Sequence, residues 1–223
     1  PSLIQSACAD IHPAIVIVVP MVIEKIIRKM VFPLIQQRYV HLLLNMPVVN
    51  KKIKARILQQ VKDIFGGQLF EMMFGGAGLN REVEDFLRHI GFPLAVGYGT
   101  TETAPLITYS DYRDFVRGTC GRVVDNMEIR IASPDPANVP GEILTKGPNV
   151  LLGYYKNPEA TQAAIDAEGW FHTGDAGRLE GRTLYLKERI KDLFKTSNGK
   201  YISPQALETK FIVDRYIDQV AII

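Results

Sequence analysis

The sequence is short of several things, and each shortage excludes something. Only two of its 223 residues are cysteine, Cys8 and Cys120, far apart in the chain. That rules out a disulfide framework and a cysteine metal site by spacing, and points to reduced thiols inside a cell. Charge of one sign is also scarce: 26 Lys plus Arg against 24 Asp plus Glu leave a net +2. So small an excess supplies no broad basic face, and no nucleic-acid partner is expected. Long hydrophobic runs are missing. The most apolar stretch, Ala14 to Ile23, follows Pro13, contains Pro20, and is half the ~20 residues a membrane span requires. It has neither the basic lead-in nor the cleavage site of a secretion signal, so a cytoplasmic protein is expected. No internal repeat or low-complexity tract appears. With 47% hydrophobic and 22% charged residues, the composition is that of a globular protein.

The first half reads as alternating strands and helices. Residues 14–19 (AIVIVV) form a β-branched run ending at Pro20, a buried strand by pattern. Val22 to Val40 has helical spacing, with Pro33 expected to break the helix in two. Asn50 to Phe65 reads as a helix capped by Asn50 and stopped by Gly66-Gly67. A strand over Gln68 to Phe74 leads into Gly75-Gly76-Ala77-Gly78. A helix over Arg81 to Ile90 is capped by Asn80 and stopped by Gly91, and a short strand, Leu94 to Val96, follows. This alternation predicts a parallel α/β sheet. After about residue 117 the pattern changes to short strands, Glu128–Ile131, Gly141–Thr145 and Thr183–Leu186, separated by turn residues, with a helix over Ala160 to Ala167. That reads as a small antiparallel unit, barrel-like or sandwich-like. A charged segment from Lys187 to Asp192, a loop at 196–199, a helix from about Pro204 and a last strand, Gln219 to Ile223, close the chain.

Four motifs carry chemistry. Gly75-Gly76-Ala77-Gly78, after a strand and before a helix, lets backbone approach a flat or anionic ligand, or is a plain tight turn. In Val96-Gly97-Tyr98-Gly99-Thr100-Thr101-Glu102, the Tyr98 ring can lie on a base, the Thr hydroxyls can reach phosphate oxygens and the Glu102 carboxylate can hold Mg²⁺. Equally, Thr101 can be a helix cap with Glu102 in the first turn. In Gly169-Trp170-Phe171-His172-Thr173-Gly174-Asp175, Asp175 at the end of a tight turn can accept both hydroxyls of a ribose, or simply form the turn. Trp170 suits core packing, and His172 lacks ligand-spaced partners for a metal. Arg189, Lys191 and Lys195 lie around a predicted turn and suit a solvated charged face.

Taken in order, GGAGLN, VGYGTTETAPL, GEILTKGPNVLLGYYKNPEAT, GWFHTGD and ERIKDLFKTSNGKYISP resemble successive blocks of the adenylate-forming superfamily of acyl-CoA synthetases, peptide-synthetase adenylation domains and luciferases. The sequence is most similar to the long-chain fatty acid–CoA ligase branch. The fold this implies is α/β: the parallel-sheet portion of a large AMP-binding domain over 1–117, a small antiparallel distorted barrel over 118–187, and a hinge with the start of an α+β C-terminal lid over 188–223.

The resemblance also implies roles. Tyr98, flanked by Gly99, would stack on adenine, with Gly75, Gly76 and Ala77 giving backbone contacts. Thr101 would bind the α-phosphate, Glu102 the Mg²⁺, Asp175 the ribose hydroxyls, and Arg189 ribose or phosphate. Lys191 matches the hinge about which the lid turns. Lys195 matches a lysine that contacts the nucleotide after that turn, and Ser197, Asn198 and Gly199 match a loop along the pantetheine path. ATP or AMP, Mg²⁺, coenzyme A and a fatty acid are the implied ligands, with room for peripheral membrane association through the substrate and the oligomeric state left open. The sequence departs from the family pattern at Phe74, where many relatives have Ser, at Gly78, a common Pro, and at Asn198, a common Gly. Nothing matches the family's phosphate loop or the lysine of its lid. An internal piece of a longer ligase, inactive alone, is therefore expected. A synthetase serving a carrier protein and a nucleotide-binding module without catalysis are the alternatives.

Overall fold

The computed structural model describes residues 2–35, 47–189, 194–195, 201–202, 207–208, 211, 217 and 220–222. It divides into two compact units, Pro1–Tyr98 with Tyr109–Val116, and Gly99–Thr108 with Arg117–Ile223.

The first unit is built on three parallel strands, β1 (Ile15–Val18), β2 (Glu71–Phe74) and β3 (Leu94–Val96), in the order β1-β2-β3. The registers run Ile15 to Glu71 and Met72 to Leu94. The parallel sheet is thus as the alternation predicts. Its first strand is not the buried strand expected: Ile15 and Ile17 are 59% and 71% exposed. Among the described residues β1 pairs only with β2, and one of its faces is uncovered.

Helix α1 (Ser2–Ile11) precedes the sheet, and α2 (Pro20–Ile26) follows β1 with Pro20 at its start, where a missing N–H costs nothing. Pro33 does not break the helical path. Residues Ile27–Val31 widen into a π-turn, with the Phe32 N–H bonded to the Ile27 carbonyl, and α3 (Phe32–Ile35) continues. A π-turn ahead of a proline removes the demand for the i−4 bond that proline cannot make. Helix α4 runs Pro47–Asp63, so Asn50 lies inside it rather than at its cap. Gly66 and Gly67 end it as expected, at φ +86 and +78, with the Gly67 N–H on the Lys62 carbonyl at 3.0 Å. Helix α5 (Arg81–His89) starts at Asn80, whose Oδ1 accepts from the Glu82 and Val83 N–H groups. Ile23, Ile27, Val61, Phe65, Leu69, Met72, Phe74, Val83 and Leu87 are fully buried and form the core of this unit. Phe32 meets Phe86 edge-to-face at 5.5 Å, and the Asn80 N–H donates to Glu24 at 2.8 Å.

The second unit holds a six-stranded sheet: β4 (Thr108–Tyr109), β5 (Arg122–Val123), β6 (Glu128–Ala132), β7 (Gly141–Lys146), β8 (Phe171–Glu180) and β9 (Thr183–Arg189), in the order β4-β5-β9-β8-β7-β6. It is open: no pairing among the described residues closes it into the barrel the resemblance implies. The longest strand, β8, covers the motif read as a tight turn. Asp175 therefore sits inside a strand, opposite Arg189. The misreading has a physical source. Gly174 has φ +72, and against β7 the register shifts between Glu142 and Leu144, where Thr173, Gly174 and Asp175 stand against the single residue Ile143, so a β-bulge gives the sequence its turn-like glycines. Helix α6 spans Pro158–Ala164, earlier than expected, because Asn157 caps Ala160 at 3.0 Å and Pro158 takes the first position. Trp170 is half-buried, with Lys146 Nζ 6.0 Å from its ring. Beyond residue 189, β10 (Phe194–Lys195) and β11 (Tyr201–Ile202) pair antiparallel. Pro204, Gln219 and Ile223 lie outside the described residues, and 220–222 are not in a strand.

Candidate functional site

In the first unit, the glycine-rich turn and Gly97-Tyr98 lie just past the carboxyl ends of neighbouring parallel strands. The Gly75 N–H reaches the Val18 carbonyl at 3.3 Å and the Gly97 N–H the Phe74 carbonyl at 2.9 Å. Gly76 has φ +80, and Gly76 and Ala77 are exposed. The carboxyl edge of a parallel sheet is where α/β proteins receive ligands. Tyr98 follows β3 after Gly97. It ends a continuously buried run from Phe92 and is 7% exposed.

In the second unit, Gly99 leads into a short 3₁₀ turn, Thr101–Thr103. A Cβ on Gly99 would overlap the Pro105 carbonyl oxygen, so this position needs glycine. The cap is Thr100, not Thr101: the Thr100 N–H donates to Thr103 Oγ1 at 3.0 Å and the Thr103 N–H to the Thr100 carbonyl at 3.0 Å. The helix-cap alternative thus falls on the neighbouring threonine, and Thr101 keeps an exposed side chain.

Glu102 is half-buried and well connected. The Tyr154 hydroxyl donates to its Oε1 at 2.9 Å, and the Leu151 N–H donates to its carbonyl at 2.7 Å. Burial alone would raise its pKa. Its own backbone N–H, the Tyr154 and Thr100 hydroxyls and the Arg189 charge outweigh that and hold the carboxyl below its ordinary value. The same contact, after burial, raises the Tyr154 phenol. Asn149 fixes the rest of the turn, its Nδ2 donating to the Thr103 and Leu106 carbonyls at 2.7 and 2.8 Å.

Arg189, the last residue of β9, pairs with Asp175 of β8. Its Nε lies 3.3 Å from Asp175 Oδ1; the Asp175 side chain is 9% exposed and that of Arg189 64%. The bulge that carries Asp175 is braced from β7. Glu142 Oε2 lies 3.0 Å from His172 Nδ1, and Glu142 Oε1 accepts the Gly174 N–H at 3.2 Å. The Thr173 hydroxyl donates to the Ile143 carbonyl and accepts the Asp175 N–H at 3.1 Å. His172 Nε2 also lies 3.8 Å from Asp166. Among the described residues no group of three or more His, Cys, Asp and Glu is placed to hold a metal.

The structure therefore pairs Arg189 with Asp175, and places Glu102, whose carboxyl feels the Arg189 charge, in the same unit with Thr101 on its turn. Lys191, Ser197, Asn198 and Gly199 lie outside the described residues. Of Lys195, the backbone is in β10, opposite Tyr201. Sequence reasoning passed over Tyr154 and Glu142, 52 and 30 positions from the groups they hold. Both lie in the block beginning GEILTKGP, so the block itself was the available signal. A depression of about 470 Å³ on segment 152–162 has Tyr154 in its wall but not Thr101, Glu102 or Asp175.

A parallel sheet with exposed glycine turns at its carboxyl edge, followed by an antiparallel unit with a braced Asp175–Arg189 pair, has the fold of the AMP-binding portion of adenylate-forming enzymes. Residues 1–155 match the family described as AMP-binding enzyme, and the chain belongs to that family. It is 35% identical over 73% of its length to "Long chain acyl-CoA synthetase 7, peroxisomal" of Arabidopsis thaliana, covering 25% of that protein. It is 36% identical over 68% of its length to "4-coumarate--CoA ligase 2" of Oryza sativa subsp. japonica, covering 29% of it. Among solved structures, the o-succinylbenzoate–CoA synthetase of Bacillus subtilis in complex with its acyl-adenylate shares the fold, with a TM-score of 0.71 at 21% identity, over 99% of this chain and 40% of that one. The same synthetase solved with ATP and magnesium ion gives a TM-score of 0.66 at 22% identity, over 95% of this chain and 38% of that one. The chain thus spans about a quarter of the length of the curated relatives it matches.

Proposed function

We propose that this chain carries the adenosine-handling part of a ligase that activates a carboxylic acid with ATP and passes it to coenzyme A. In the first step a carboxylate oxygen attacks the α-phosphorus of ATP and pyrophosphate leaves, giving acyl-AMP. In the second, the thiol sulfur attacks the acyl carbon, the thiol proton is lost and AMP leaves, giving a thioester. The observation that carries the reading is the ordered set of five sequence blocks, supported by the family match over residues 1–155.

The roles follow from the chemistry of each group. Tyr98 and the turn of Gly75, Gly76 and Ala77 are assigned to adenine, and Thr101 to the α-phosphate. Asp175, braced on a bulge and paired with Arg189, suits two neighbouring ribose hydroxyls. Glu102 fits Mg²⁺: it is a hard oxygen donor, held as a carboxylate by its neighbours, and phosphates and water complete such a shell. A magnesium ion there would offset charge building at the phosphates. Lys195, and Lys191, Ser197 and Gly199 with it, are assigned to the second step, and residues 188–223 to the hinge and the start of a lid. Long-chain fatty acids are the proposed acyl substrates, in the cytoplasm, where Cys8 and Cys120 stay out of disulfides. Kinship with 4-coumarate–CoA ligases makes aromatic acids the second class to assay.

Asp175→Ala tests the reading in the full-length enzyme. Loss of a charged hydrogen-bond acceptor costs about 1.5–3 kcal/mol, so the KM for ATP should rise about 10- to 100-fold, while discrimination against 2′-deoxy-ATP falls. An unchanged KM for ATP would remove the ribose assignment.

A further inference from the structure

Glu102 does not hold its own position. The turn that bears it is gripped by the segment 149–154 at several points. Asn149 takes the Thr103 and Leu106 carbonyls, the Leu151 N–H takes the Glu102 carbonyl at 2.7 Å, and the Tyr154 hydroxyl takes one carboxylate oxygen at 2.9 Å. Tyr154 is itself fixed from below. Its N–H donates to Thr161 Oγ1 at 2.9 Å, and its carbonyl accepts the Asn157 N–H at 3.1 Å. The Thr161 hydroxyl donates to the Asn157 carbonyl at 2.8 Å, and Asn157 caps α6. Gly153, at φ +152, lets the chain pass where a Cβ would lie 3.0 Å from Thr161. The hydroxyl is therefore delivered from a rigid element. Its ring is not there to fill a core, since Tyr154 is 37% exposed.

We propose that Tyr154 is a positioning residue for the metal-binding carboxylate: by occupying Glu102 Oε1 it fixes the carboxylate plane and so the direction in which Glu102 meets a divalent cation on a nucleotide. The inference rests on the reading of Glu102 as the magnesium carboxylate. A glutamate side chain has several free torsions, and an anchored oxygen removes most of that freedom before the cation arrives. Tyr154 acts through Glu102.

The test uses the full-length enzyme with Mn²⁺ as a spectroscopically visible cation and a non-hydrolysable ATP analogue, without acyl substrate. Mn²⁺ binding is read by electron paramagnetic resonance, and AMP binding without metal by calorimetry. Tyr154→Phe should weaken Mn²⁺ binding roughly threefold to tenfold, the value of one hydrogen bond, leave AMP affinity unchanged, and add nothing in a Glu102→Gln background. Thr161→Val, which removes the Thr161 bonds to the turn and keeps the Tyr154 hydroxyl, should shift Mn²⁺ binding in the same direction by less. Unchanged Mn²⁺ affinity in Tyr154→Phe, beside weakened affinity in Glu102→Gln, overturns the positioning role and leaves the metal reading intact. So does an equal loss of AMP affinity, or a Tyr154→Phe effect that persists in the Glu102→Gln background. Unchanged Mn²⁺ affinity in Glu102→Gln overturns the metal reading itself.

Discussion

Glu71 is the most deeply buried acid in the first unit, 3% exposed, and its two oxygens are both claimed. The Tyr109 hydroxyl donates to Oε2 at 2.7 Å and the Tyr112 N–H to Oε1 at 3.1 Å. Tyr109→Phe strips one partner from a buried acceptor, which should destabilise the chain by about 1–3 kcal/mol. The effect has a pH signature. Burial first, then the bond to Glu71, raises the Tyr109 phenol well above its ordinary value. A raised folded value gives stability that is complete below the ordinary tyrosine value of about 10 and is lost as pH rises towards the folded one. Urea midpoints of the two proteins should therefore differ by a constant amount up to about pH 10 and converge above it; a gap that widens in alkali would contradict the assignment. At this scale the sequence identified Asp175 and Glu102 as candidate groups but not what holds them. Tyr154 and Glu142 are remote in sequence from their partners, and no local pattern encodes which hydroxyl or carboxylate will arrive. The Thr100 cap was missed by one position because Thr100 and Thr101 are chemically identical, and only the backbone decides between them.

Element boundaries were legible where backbone chemistry is local. Gly66-Gly67, Asn80 and Gly91 were expected to stop or start helices, and each does. The two kinds of glycine stop make different predictions. At Gly91, φ is +76 and a Cβ would meet nothing within 4 Å, so Gly91→Ala should cost only the left-handed conformation, about 1–2 kcal/mol. At Gly66, φ is +86 and a Cβ would overlap the Cys8 carbonyl and lie 2.9 Å from His12 Cα. Gly66→Ala should therefore cost clearly more than Gly91→Ala, because backbone of α1 has to move. Equal shifts in thermal midpoint for the two variants would mean that α1 yields freely. Elements were illegible where a local signal is overridden. Pro33 reads as a break, yet a π-turn carries the helix past it. Gly174 reads as a turn, yet it is the bulge of a ten-residue strand, and a bulge uses the same residue types as a turn.

For the molecule as a whole, block order fixed the family, while the burial of β1 was misjudged because an unbroken apolar run looks covered on both faces. In the structure the run alternates, and Ile15, Ile17, Val19 and Met21 are all more than half exposed. Leu3 and Ile11 of α1 are exposed as well. β1 has a single neighbour among the described residues, so among those residues its other edge has no strand partner and lies beside exposed aliphatic side chains. Such an edge templates further pairing, and a net charge of +2 opposes association only weakly. The 223-residue chain should therefore self-associate as its concentration rises. Ile15→Thr with Ile17→Lys keeps β propensity at one position and places a charge on the edge at the other, so it should delay association without unfolding the sheet. Light scattering against concentration measures the onset, and far-ultraviolet circular dichroism checks that the fold persists. An unchanged onset in a folded double variant would locate the associating surface elsewhere, and would mean that exposure of β1 has no bearing on how this chain behaves in solution.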